Sequence, residues 1–185
     1  MSSINPDLER VLLTEEDISL RVAELAQQIS DDYRERENLY LIGILKGAFI
    51  FLADLVRQLT IPHDVDFMAV SSYGNTATSS GAVRILMDLR EPVENRDILL
   101  VEDIVDTGQT LSYLHKTLQG RRPASLKSCV LVQKERDEPY KPIDYLGFTI
   151  PDVWVVGYGL DYAERYRTLP YLAELKRSVY MKNGS

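Results

Sequence analysis

The chain holds one cysteine, Cys129, so no disulfide can form within it. A fold without covalent staples fits a reducing compartment, and a cytoplasmic location is expected. Basic residues are in deficit: 21 Lys and Arg face 28 Asp and Glu, for a net charge of −7 and a sequence pI of about 4.9. A surface of that sign repels phosphate backbones and anionic lipids, so neither nucleic acid nor membrane is an expected partner. Long apolar runs are missing as well, since the stretch from Ala48 to Val56 is short and broken by Asp54. The amino terminus, MSSINPDLER, lacks the apolar core of a secretory signal. Histidine is scarce, and His63 and His115 have no Cys or Asp cluster at metal spacing, so neither is expected to hold a metal. Repeats, linkers and low-complexity tracts are absent, and only the final MKNGS reads as a loose tail. With 45% apolar and 26% charged residues, the 185 positions are expected to form one soluble domain, 1–185.

What is present alternates between strand-like and helix-like segments. Thr14 and Asp17 resemble a capping box, and Ile18, Val22, Leu25, Ala26 and Ile29 then fall on one helical face. LYLIGIL is a continuous apolar run of strand length, turned by KG into the helically spaced AFIFLADLVRQL. HDVDFMAVSSY and VRILMDL read as strands on either side of GNTATSSGA, whose small polar composition is that of a loop. DILLVEDIV and LKSCVLVQK flank a helix, TLSYLHKTLQ, that Gly120 ends. YLGFTI and WVVGYG complete the pattern. Such alternation predicts an α/β fold: a mostly parallel twisted sheet flanked by helices, with ligands at the carboxyl ends of its strands.

That rule directs attention to ILLVEDIVDTGQTL, residues 98–111. Its apolar start reads as a central strand, which would deliver Glu102 and Asp103 to the ligand edge. Asp106, Thr107, Gly108, Gln109 and Thr110 would form the turn and the first residues of a helix. There the free amides and the helix dipole favour an anion, Gly108 admits a close approach, and the threonines add hydroxyl donors. The loop suits a phosphate monoester, although it is not the Walker pattern. The plainer alternative makes Asp106 a helix N-cap, worth about 1 kcal/mol. A cap accounts for one carboxylate of the three. Like charges about 4 Å apart repel by about 1 kcal/mol in water and about 4 at an effective dielectric of 20. Hydroxyl donors, a divalent cation or a shared proton would offset that cost, and a sugar phosphate with magnesium supplies all of them.

The same stretch resembles the signature of the type I phosphoribosyltransferases: apolar strand, two acids, an apolar pair, then Asp-Thr-Gly-x-Thr. KPIDYLGFTIPDVWVVGYGLDYAERYRTLPY, residues 141–171, is similar to the hypoxanthine-guanine branch, especially the bacterial members. LIGILKGAFIF and VSSYGN match at the expected places, so the resemblance runs from about Thr14 to Tyr171. It implies that family's fold, with a small hood formed from terminal segments. It also implies a purine salvage reaction, in which the 5-phosphoribosyl group of phosphoribosyl pyrophosphate passes to hypoxanthine or guanine. The products are IMP or GMP and pyrophosphate, the cofactor is magnesium, and the assembly is a homodimer or homotetramer.

Roles carry over residue by residue. Asp106 resembles the group that handles the imidazole-ring proton of the purine, and together with Thr107, Gly108, Gln109 and Thr110 it lines the 5′-phosphate cradle. Glu102 and Asp103 resemble the ribose- and magnesium-associated acids, and Asp161 a further magnesium-linked acid on the purine side. Lys134 resembles the donor to the purine 6-oxo group, Trp154 the stacking aromatic, and Val155 the supplier of a backbone group to the base edge. Lys46, Gly47 and Arg167 resemble pyrophosphate ligands, and Ser72 and Tyr73 the start of a closing loop over the same site. Without the resemblance these residues have plainer readings. Trp154 becomes a core aromatic, Lys134 a surface lysine, Asp161 a helix cap and Arg167 a helix-end charge. Gln109 stands where relatives can carry a basic residue, and Arg136 is a candidate substitute for a basic pyrophosphate contact. Two rival functions fit parts of this pattern. A nucleic-acid-binding regulator would need a basic face that is missing here. An enzyme for another base is a closer rival: Lys134 argues against adenine, whose amino group cannot accept from it, but leaves xanthine open.

Overall fold

The computed structural model describes residues 5–72, 83–137, 140 and 142–181, with Ser72 by its backbone alone. Among them, thirteen elements follow one another: β1 (Leu8–Leu13), α1 (Glu15–Asp32), β2 (Leu39–Leu45), α2 (Phe49–Val56), β3 (His63–Ser72), β4 (Val83–Met87), β5 (Asp97–Val105), α3 (Gln109–Gln119), β6 (Ser125–Lys134), β7 (Tyr145–Ile150), β8 (Val155–Val156), β9 (Leu172–Leu175) and α4 (Arg177–Tyr180). Six strands form the main sheet in the order β4-β3-β2-β5-β6-β7. All are parallel except β4, which pairs antiparallel with β3 at one edge.

Each face of this sheet is covered by helices, as its sequence demands. Alternate residues of β2 point to opposite sides. Leu39 and Leu41 join Leu99, Val101, Cys129 and Leu131 beneath α1 and α2. Tyr40, Ile42 and Ile44 join Ile98, Leu100 and Val130 beneath Leu111, Leu114 and Leu118 of α3. A strand buried on both faces has no polar positions to alternate, which is why β2 and β5 read as unbroken apolar runs. In α1 the expected five residues are all buried, and the capping box is formed. Asp17 donates its amide to Thr14 Oγ1 at 3.1 Å, and the Thr14 amide donates to Asp17 Oδ2 at 2.9 Å.

The chain leaves β2 for β3 on one side and later returns to place β5 on the other. Beside β2 the direction of winding therefore reverses, and crevices at such switch points receive ligands at the carboxyl ends of the strands. The segment after Leu45 and the segment after Val101 emerge there as neighbours.

A second, three-stranded sheet, β1-β9-β8, is antiparallel and gathers its own small core of Leu8, Val156, Ala173 and Leu175. This is the hood, and it corrects the expectation for WVVGYG. Only Val155–Val156 is strand, and it pairs with β9 of the hood rather than extending the main sheet. Gly157 and Gly159, both at positive φ, bend the chain away directly afterwards. VRILMDL also stops short, at Met87. Strands β1 and β9 carry charges inside short runs, and β1 pairs with register shifts, so neither shows a clean alternation. No described helix is long and apolar enough to cross a membrane.

Replacing Thr14 by Ala removes the side-chain half of the cap, which should cost about 1 kcal/mol. A domain of this size should then lose about 2–4 °C of thermal midpoint. Calorimetry that found no loss would deny the cap its part in holding α1.

Candidate active site

Glu102 and Asp103 follow the last pairing of β5 with β2, at Val101, while β5 stays paired with β6 as far as Val105; the two side chains diverge because successive strand residues face opposite sides. Glu102 is 5% exposed, and its Oε2 has no hydrogen-bond partner among the described residues. Burial pushes this carboxyl up to about 8, and the charge of Asp103 adds to the rise. It lines a small cavity with Asp106, Thr107, Gly108, Gln109 and Thr110. Asp103 turns toward the end of β2. A Cβ on Gly47 would lie 1.5 Å from Asp103 Oδ2, so this turn requires glycine. Loss of water lifts Asp103 to about 6, against the hydrogen bond from the Ile104 amide and the attraction of Arg167. The charge of Asp161 presses it further upward. The three carboxylates do not share one spot: Glu102 and Asp106 line the anion-loop cavity, whereas Asp103 faces the β2 turn.

Helix α3 starts from Gly108, whose φ of 76° a residue with a Cβ would hold only under strain, and no side chain caps it. The plainer reading of Asp106 as N-cap is therefore wrong. Its carboxylate is engaged elsewhere, by Arg136 and by Lys134 at 3.5 Å. The ring of Tyr140 lies against Gly108, where an added Cβ would come within 2.2 Å of it. Tyr140 thus flanks the anion loop from the β6–β7 connection, a position that its sequence context did not announce.

Lys134 ends β6 and is also bonded to Asp152 Oδ1 at 3.0 Å. Arg136 completes the group with contacts to both Asp106 and Asp152. This places Arg136 beside the acid of the anion loop. Trp154 is 43% exposed, so it is no core aromatic. Its indole stacks on Tyr180 at 5.3 Å and meets Tyr162 edge-on at 5.5 Å. Val155 is buried and pairs with Glu174 in the hood.

The third group joins the β2 turn to the hood. The Leu45–Lys46 peptide is cis, and Lys46 Nζ meets Glu164 Oε1 at 3.0 Å. Arg167 donates to the Gly159 carbonyl at 2.8 Å and pairs with Asp161 at 2.9 Å and with Glu164 at 3.3 Å. Its Nε is buried and has no hydrogen-bond partner among the described residues. Gly159 packs on the Gly47 carbonyl, only 2.0 Å from where a Cβ would stand. Asp161 does not cap a helix. Its Oδ2 accepts the Glu164 amide at 2.8 Å and closes a turn in which Ala163, Glu164 and Tyr166 have positive φ. Nor does Arg167 end a helix, for the only described helix beyond it is α4. Ser72 ends β3, whereas Tyr73 and the expected closing loop lie outside the described residues.

The expected metal set of Glu102, Asp103 and Asp161 does not converge. Among the described residues no three acids, histidines or cysteines come together to hold an ion. Glu102 faces the other side of the strand. Asp161 pairs with Arg167, and its charge raises the cost of ionising Asp103, which a cation would relieve. Magnesium retains waters and takes one or two carboxylates together with substrate phosphates, so that smaller donor pair fits it.

The family model described as a phosphoribosyl transferase domain matches residues 12–163. A hypoxanthine-guanine phosphoribosyltransferase of Dictyostelium discoideum is 49% identical over 176 residues, covering 93% of this chain and 98% of its own. One of Mycobacterium tuberculosis is 50% identical over 180 residues, covering 94% and 89%. The solved hypoxanthine phosphoribosyltransferase of Trypanosoma cruzi, in complex with the product IMP, superposes with a TM-score of 0.86 at 45% identity, covering 96% and 99%.

The burial of Glu102 has a measurable consequence. Below about pH 4.5 the group is neutral whether the chain is folded or not; between there and about 8 only the unfolded chain ionises, so the fold loses stability as pH rises; above about 8 the loss levels off. Glu102→Gln should therefore raise the thermal midpoint by several degrees near pH 8, taking about 2–4 °C per kcal/mol, and by little near pH 5. An equal gain at both values would mean that Glu102 is not desolvated as described.

Proposed function

The chain belongs to the phosphoribosyltransferase family, and from that membership we propose that it is a purine salvage enzyme that transfers the 5-phosphoribosyl group of phosphoribosyl pyrophosphate to hypoxanthine or guanine. One observation carries the choice of acceptor: Lys134, Asp106 and Asp152 form one charged group at the end of β6, and the exposed Trp154 follows Asp152 by two residues. A planar base with an oxo group and an imidazole N–H finds an aromatic face, a cation and a carboxylate there.

A purine ring nitrogen attacks the anomeric carbon of the ribosyl donor as its bond to the pyrophosphate oxygen breaks. The imidazole-ring proton passes to Asp106. Lys134 donates to the 6-oxo group, where electron density gathers. The 5′-phosphate rests on the amides and hydroxyls from Thr107 to Thr110 at the start of α3, with Gly108 leaving the backbone bare. Glu102 and Asp103 accept from the ribose hydroxyls, and a donor hydroxyl satisfies the otherwise orphaned Glu102 Oε2. Lys46, the Gly47 backbone and Arg167 receive the pyrophosphate. Asp103 and Asp161 would hold magnesium, which would supply charge neutralisation for the leaving group. The reading carries a cytoplasmic, homodimeric or homotetrameric enzyme with it; in the Trypanosoma cruzi hypoxanthine phosphoribosyl transferase the C-terminal region has a role in the oligomeric state and enzymatic activity.

Assays with phosphoribosyl pyrophosphate, magnesium and each purine in turn should show turnover of hypoxanthine and guanine and poor turnover of adenine. A site that offers a donor to an oxo group leaves that donor unpaired with an amino group, at a cost of orders of magnitude. Adenine used as well as guanine would overturn the acceptor assignment.

Asp106→Asn should lower turnover by about 10²–10⁴-fold. The melting temperature should barely move, because Asp106 caps nothing and half-exposed ion pairs are worth about 0.2–1 kcal/mol. A folded variant with near-normal turnover would leave the mechanism without its base.

A further inference from the structure

Lys134, Asp106, Arg136 and Asp152 alternate in sign around a closed ring. Lys134 Nζ lies 3.0 Å from Asp152 Oδ1 and 3.5 Å from Asp106 Oδ2. Arg136 Nη2 pairs with Asp106 Oδ1 and stands 3.4 Å from Asp152 Oδ2, and its Nε donates to the Asp106 carbonyl at 3.2 Å. Asp152 sits in the β7–β8 connection, two residues before Trp154, and the reaction as derived above gives it no task.

We propose that Asp152 is a positioning residue for the purine, one that aims the Lys134 ammonium at the 6-oxo group and keeps it from settling on Asp106. The proposal rests on the reading of Lys134 and Asp106 given above. The geometry supplies three reasons. Lys134 is bonded to Asp152 but only ion-paired with Asp106, so the nearer anion sets where the ammonium stands. Its side chain is 14% exposed, so water screens this choice weakly. A lysine has three donors on a flexible stem. With Asp152 present, one donor is spent on the anchor and two are left for a carbonyl. Without Asp152, Asp106, already the nearest anion to Arg136, becomes the nearest to Lys134 as well. The ammonium would turn from the base, and the carboxylate that must accept a proton would be covered by two cations. The bond to Lys134 already holds the Asp152 carboxyl below the ordinary carboxylate range, so Asp152 is an anion at neutral pH.

Steady-state kinetics of four variants test this. Asp152→Asn should raise KM for hypoxanthine about tenfold, the size of one lost charge-assisted hydrogen bond, while KM for phosphoribosyl pyrophosphate and the thermal midpoint stay unchanged. Asp152→Glu, which keeps the charge, should recover part of the loss. The double variant Asp152→Asn with Lys134→Met should be no worse than Lys134→Met alone, because Asp152 acts through that lysine. Should Lys134→Met raise the purine KM while Asp152→Asn leaves it unchanged or lowers it, the positioning role is overturned and the reading of Lys134 stands. Additive effects of the two substitutions, or a parallel rise in both KM values with a fall in thermal midpoint, also overturn it. An unchanged purine KM in Lys134→Met would remove the purine-site reading and this inference together.

Discussion

Two carboxyl groups leave the central strand β5 where little water reaches them, and both are held above their ordinary pKa. Desolvation makes each a standing cost to the fold, and the neighbouring charge of Asp103 worsens that of Glu102. Much around them exists to accommodate this pair. Gly47 gives up its side chain so that Asp103 can reach the β2 turn. Arg167 is drawn from the hood into the electrostatic surroundings of Asp103. Among the described residues, Glu102 Oε2 has no hydrogen-bond partner.

The main sheet and the hood contribute opposite halves of the same crevice. From the sheet come Lys46, Glu102, Asp103, Asp106 and Lys134, at the carboxyl ends of β2, β5 and β6. From the chain between β7 and β9 come Asp152, Trp154, Asp161, Glu164 and Arg167. Charges from the two halves pair in two places, Lys134 with Asp152 and Lys46 with Glu164. Glycine at positions 47 and 159 brings the halves into backbone contact. The hood therefore does more than cover the sheet edge, since it carries the partners of the sheet's cations.

Much of this was open to a reader of the sequence, for local reasons. The apolar run before Glu102, the Thr14–Asp17 box and the glycine ahead of α3 each work within a few residues. Asp152 could not be singled out the same way. It stands 18 residues beyond Lys134, and its pairing with Lys134 and Arg136 exists only because β6 and β7 are adjacent. Glu164 and Tyr140 were missed for a like reason, because each gains its meaning from a residue on a distant element. The capping role for Asp106 failed because Gly108 takes the start of the helix, leaving Asp106 free to answer charges from β6.

By itself the sequence determined the alternation of strands and helices, the burial of β2 and β5 on both faces, and the acids and glycine at the strand-to-helix turn. Those features follow from side-chain periods of 2 and 3.6 and from backbone preferences that act over a single turn. Tertiary structure alone decided that β2 lies beside β5, that Glu102 and Asp103 serve opposite sides of one strand, and that the terminal segments pair as a hood. It alone decided that a lysine, an arginine and two aspartates close into a ring. Contacts of that kind join elements remote along the chain, and strand order rather than local pattern brings them within reach.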